Sequence, residues 1–89
     1  MPTISMFYGI IIYLYFFDNQ KHHLPHIHAE YGEMEGVFLI ETGELIDGDL
    51  PIKQKKLVAA WIEIHKEELL ANWKLAVSGQ TVFNIDPLK

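Results

Sequence analysis

Apolar and polar positions divide the chain into two parts of different period. Through residue 50 the pattern is built of short β-rich runs broken by polar or glycine-containing pairs. From residue 51 apolar residues recur at three- and four-residue steps. The block Phe7 to Phe17 is saturated with β-branched and aromatic residues and predicts a strand. It is apolar on both faces, so it is expected to be central in a sheet or covered on both sides.

Asp18-Asn19-Gln20-Lys21 is polar turn material. Pro25 then holds Leu24 out of the helical region, and His26 to Tyr31 can run extended as a second strand. Gly32-Glu33 suits a two-residue hairpin with glycine first, as a type II′ turn requires. A third strand is expected over Met34 to Glu41, a turn at Thr42-Gly43, and a short fourth strand at Glu44-Leu45-Ile46. Asp47-Gly48-Asp49 closes the sheet.

Pro51 fits the first turn of a helix, where its missing N–H costs nothing. Leu57, Val58, Trp61, Ile62 and His65 form an apolar stripe that Leu69, Leu70, Trp73 and Ala76 continue. Gly79 is a plausible stop. An unbroken helix from Ile52 to Ser78 would be ~40 Å long, more than a small domain needs, so a break is expected near Lys66-Glu67. The fold class is therefore α+β: an antiparallel sheet of three to four strands packed against one long or two consecutive C-terminal helices. We read residues 1–89 as a single domain: a β-meander over 1–50, a helical part over 51–79, and an extended tail over 80–89 carrying Val82, Phe83 and Ile85.

Composition narrows the function classes. The hydrophobic fraction is 49% in 89 residues, more apolar surface than so small a body hides easily. A homodimer or a bound partner is the expectation. The sequence has no cysteine, so disulfides and thiolate metal sites are excluded, which suits a reducing cytoplasm. Phe7 to Phe17 is far short of the ~20 residues of a spanning helix, and no basic region precedes it as in a signal peptide. Net charge is −5, and all seven basic residues are lysine. Nucleic-acid binders present basic stripes rich in arginine; Lys53, Lys55 and Lys56 read as a solvated helix face. Nucleic acid is expected only as a substrate, and a basic protein partner suits the charge better.

Four of the five histidines, His22, His23, His26 and His28, fall within seven residues. Histidine is the side chain best suited to metal ligation or proton transfer near neutral pH. On a strand, His26, His28 and Glu30 share one face, ~6.6 Å apart at the strand rise. The expected hairpin places Glu35 opposite Glu30 on that face and turns Ile27 and Ala29 to the other. Asp18, His22 and His23 lie in the preceding turn and could fold over the same spot. The candidate catalytic set is therefore His26, His28, Glu30 and Asp18. The candidate metal ligands are His26, His28, His22 and Glu30, an inventory suited to Zn²⁺, Fe²⁺, Mn²⁺ or Ni²⁺. The alternatives are metal-free acid–base chemistry or a plain polar strand face beside a histidine-rich loop. His65 and Asn72 interrupt the helical stripe and read as polar core members satisfied by backbone or by each other, unless His65 reaches across to the strand. The carboxylates Glu41, Glu44, Asp47 and Asp49 lack the spacing of a calcium loop and read as turn chemistry.

Pro2-Thr3-Ile4-Ser5, Phe7-Tyr8-Gly9-Ile10, Pro25-His26-Ile27-His28, Glu41-Thr42-Gly43-Glu44, Leu50-Pro51, His65-Lys66-Glu67-Glu68-Leu69 and Asn72-Trp73 follow in an order that resembles the Domain of Unknown Function 4160 family of small bacterial and archaeal proteins. Typical members carry an acidic turn and then a proline before a His-aromatic-His triplet. Here Ile27 stands where an aromatic is common and Leu24 where a second proline is common, and the helix lacks the arginines of many relatives. The resemblance implies genes paired with a second small protein, an arrangement similar to toxin–antitoxin modules. The expected function is thus a component of a two-protein module with an active or ligand-binding His26/His28 face, performing metal- or histidine-dependent phosphodiester hydrolysis if it is an enzyme. The rival is a non-enzymatic protein-binding module that docks through the sheet edge or the aromatic helix face, with histidines that are structural or bind a divalent metal.

Overall fold

The computed structural model describes residues 3–14 and 24–89. Five strands form one antiparallel meander: β1 (Thr3–Phe7), β2 (Ile10–Tyr13), β3 (His26–Tyr31), β4 (Met34–Leu39) and β5 (Leu45–Gly48), in spatial order β1-β2-β3-β4-β5. Two helices follow, α1 (Ile52–Ile64) and α2 (Lys66–Val77). The α+β class and the order of sheet then helices agree with the sequence pattern. The strand number does not, because Phe7 to Phe17 is not one strand.

The run is broken at Tyr8-Gly9. Both residues have positive φ, 49° and 77°, the signature of a two-residue type I′ hairpin. Phe7 then pairs with Ile10, Met6 with Ile11 and Ser5 with Ile12. A Cβ on residue 9 would also stand 3.3 Å from the Tyr31 ring. The upstream half of the hairpin, Thr3–Phe7, makes β1 the sheet edge and moves β2 inside. Downstream, Tyr31 faces Met34 across the Gly32-Glu33 turn, and only Gly32 has positive φ, as a type II′ turn requires.

Phe7, Ile10, Ile12, Ile27, Ala29, Phe38 and Ile40 join Val58, Trp61, Ile62 and Leu69 in one buried cluster. Each fully buried Leu, Ile or Phe side chain contributes about 1.5–3 kcal/mol. The Phe7 ring lies 5.3 Å from that of Trp61, which fixes this side of the sheet against α1. The helical stretch breaks at His65, whose backbone (φ −110°, ψ 23°) ends α1 and begins α2. The break falls one residue before the position that the length argument gives.

The segment after Gly79 takes no regular structure, yet it is pinned at three points. The buried Asn72 side chain donates to the Phe83 carbonyl at 2.8 Å and accepts from the Phe83 N–H at 2.9 Å. Trp61 Nε1 donates to the Asp86 carbonyl at 2.8 Å. The Ile85 N–H donates to the Ile4 carbonyl on the edge strand at 2.8 Å. Among the described residues, no helix is long and apolar enough to cross a membrane.

Candidate functional site

Strand β3 carries the histidine pair, and its register decides where the side chains go. Ile27 faces Phe38, His28 faces Val37, Ala29 faces Gly36 and Glu30 faces Glu35. Ile27 and Ala29 belong to the helix-side core, so His26, His28 and Glu30 share the other face, as the spacing implies. The environment is not the open polar face that the sequence suggests. His26 has 0% of its surface exposed and His28 4%. Four consecutive residues, His26 to Ala29, are buried, so both faces of the sheet are covered at this point.

The local sequence explains how His26 is held. Pro25 keeps the chain extended, and the His26 ring turns back so that Nδ1 lies 2.8 Å from the Leu24 carbonyl oxygen. A carbonyl only accepts, so Nδ1 carries the proton and Nε2 is the basic nitrogen. The ring meets the edge of His28, with centroids 5.2 Å apart at 67°, and packs on Trp73 of α2 at 4.9 Å. His26 therefore joins the sheet to the second helix. His28 Nδ1 stands 3.4 Å from Glu35 Oε2, a long contact that becomes an ion pair only when the imidazole is protonated.

Both rings turn Nδ1 to an oxygen acceptor, the arrangement that orients ligating or proton-accepting histidines elsewhere. Glu30 is half-buried on the same face. Among the described residues, no group of three or more His, Asp or Glu side chains is placed to hold a metal ion. Asp18, His22 and His23, the remaining candidates, lie outside the described residues. A recess of about 110 Å³ lined by Leu24, Pro25, Leu39, Glu41 and Thr42 opens near the start of β3; ligand pockets are several times larger.

His65 does not join the strand pair. Its Nδ1 is 2.6 Å from Glu68 Oε1, and its ring lies 5.6 Å from that of Trp61, at the junction of α1 and α2. Asn72 is the satisfied polar core residue that the stripe predicts, although its partner is the tail backbone, not His65. Trp61 is fully buried, which removes it from any docking face; Trp73 is half-buried against His26. Sequence reasoning gave no role to Glu68 or Glu35 as imidazole partners. The i,i+3 spacing of His65 and Glu68 is a signal that could have found the first.

The family model for Domain of unknown function (DUF4160) matches residues 9–74, and the chain belongs to this family. The match runs from the β1–β2 turn through most of α2. It includes the histidine pair, His65, Asn72 and Trp73, and leaves out β1 and the tail that Asn72 fastens. No curated protein and no solved structure matches the chain.

Proposed function

We propose that this DUF4160 member is the protein-binding component of a two-protein module of toxin–antitoxin type, acting in the cytoplasm, and that its histidine strand frames the fold from inside. The observation that carries this reading is the burial of the pair. An imidazole with no exposed surface, tied to a main-chain carbonyl and packed at a tilt against Trp73, presents nothing to a polymeric substrate. The acidic balance and the absence of arginine point the same way, towards a basic protein surface and not a phosphate backbone. The paired-gene arrangement implied by the resemblance supplies the second protein.

One observation favours a second reading. Both Nδ1 atoms face oxygen acceptors, the orientation used by ligating or proton-accepting histidines. In a hydrolase, His26 and His28 would bind a divalent ion or pass protons, with Glu30 and Asp18 orienting them.

One experiment separates the two. His26→Gln and His28→Gln are compared with the parent for melting temperature, for RNA and DNA hydrolysis with and without Mn²⁺ or Zn²⁺, and for complex formation with the co-expressed product of the neighbouring gene. The binding reading expects lower melting temperatures, no hydrolysis by any of the proteins, and complex formation wherever the protein is folded. Metal- or pH-dependent hydrolysis by the parent, lost in a variant that melts like the parent, overturns it in favour of the enzyme.

A further inference from the structure

Met6, Ile11, Glu30 and Glu35 form a single row across four strands. Met6 pairs with Ile11, Ile11 with Glu30 and Glu30 with Glu35. Their neighbours Phe7, Ile10, Ile12 and Ala29 fill the helix-side core, so this row faces away from α1. Met6 is 62% exposed, Glu35 is exposed, and Ile11 and Glu30 are half-buried. In the adjacent row the central His28 and Val37 are buried, with half-buried Tyr13 and Asp47 on either side of them. The open part of this sheet face is thus a strip, apolar on β1 and β2 and anionic on β3 and β4. Three inter-strand spacings give it a length of ~14 Å, about four residues of extended chain.

The anionic end is held at the fold's expense. Like charges directly opposite each other on neighbouring strands destabilise a sheet. No lysine offsets them among the described residues. Glu30 makes no hydrogen bond or ion pair there, and Glu35 meets only the His28 imidazole. Lys55 and Lys66 are engaged by Asp49 and Glu63. Exposed Glu33, in the adjoining hairpin turn, adds a third negative charge.

We infer that this strip docks an extended, arginine- or lysine-bearing segment of the partner protein. The cation sits between the Glu30 and Glu35 carboxylates, and an apolar neighbour lies over Met6 and Ile11. Carboxylates on adjacent strands stand close enough for one guanidinium to bridge them. The aliphatic stem of the same side chain can lie along Ile11 while its charged head stays at the carboxylates. The inference rests on the protein-binding reading above and names the chemistry of the bound partner.

The test uses the full chain, ¹⁵N-labelled and titrated at low salt with a short alternating leucine–arginine peptide, with a leucine–glutamate peptide as control. Amide shifts centred on Met6, Ile11, Glu30 and Glu35 are expected with the first and not the second. Glu30→Gln/Glu35→Gln should raise Kd at least tenfold while melting no lower than the parent, because the repulsion is gone. Added salt should weaken binding. Equal Kd for parent and double variant, or shifts scattered over every carboxylate, would overturn the proposal. So would the same shifts with Mn²⁺ alone, which would mark a cation site, or on raising protein concentration alone, which would mark a second copy. A complex with the co-expressed neighbour that survives the double substitution sinks the strip and leaves the binding reading standing. Failure of any complex to form sinks that reading first.

Discussion

Replacing Asn72 tests whether the tail is fastened as the hydrogen bonds indicate. The side chain is fully buried and exchanges two bonds with Phe83, at 2.8 and 2.9 Å. Neutral hydrogen bonds contribute about 0.5–1.5 kcal/mol net each, so Asn72→Ala should cost about 1–3 kcal/mol before any void is counted. A chain of 89 residues has roughly 4–13 kcal/mol of total stability. At roughly 4–8 °C per kcal/mol the expected fall in melting temperature is about 4–24 °C. Asn72→Asp sharpens the test. Protonated, the acid can donate to the Phe83 carbonyl and accept from its N–H, much as the amide does. Burial disfavours the carboxylate and raises its folded-state pKa above its ordinary ~3.9. The folded state then binds more protons than the unfolded one, so stability relative to the parent falls as pH rises from about 4. Urea unfolding of parent and variant at about pH 3.5 and 7 reads the difference, and amide exchange at Phe83 and Ile85 reads the release of the tail. A deficit for Asn72→Asp that is the same at both pH values, or a cost below about 0.5 kcal/mol for Asn72→Ala, would refute the reasoning.

Two further outcomes follow from single contacts. Gly48 has φ +68°, and a Cβ there would collide with the Glu35 carbonyl oxygen; Gly48→Ala should cost about 2 kcal/mol or more through left-handed strain and the clash, and an unchanged urea midpoint would contradict this. The Lys55 ammonium hydrogen-bonded to Asp49, together with the Leu50 N–H at 2.9 Å, holds the Asp49 carboxyl below its ordinary 3.8. Its contribution is complete above that value and is lost as pH falls through the lower folded-state pKa. Asp49→Asn should therefore give a shallower acid limb in melting temperature below pH 3.8, and parallel limbs would show that the interaction does not persist in solution.

The sequence was informative wherever an element is decided by its own residues. Strand period and a glycine-first turn located the β3–β4 hairpin and put His26, His28, Glu30 and Glu35 on one face, because side-chain alternation is a local property of extended backbone. Length alone demanded the break that occurs at His65. The β1–β2 turn was harder to see, because Tyr8 is not a residue that favours positive φ. Gly9 was the one local sign of it, and the apolar run on both sides looked continuous.

Tertiary structure alone decided the character of the candidate site. Alternation says which residues share a face but not whether that face is covered, and for His26 the cover includes Trp73, 47 residues away in sequence. The capture of the tail by Asn72, Trp61 and Ile4 is likewise invisible locally. It joins backbone groups to side chains that meet only after the sheet and helices have packed. Residue type set the chemistry available to this protein; packing determined which of it is sealed inside and which stays exposed.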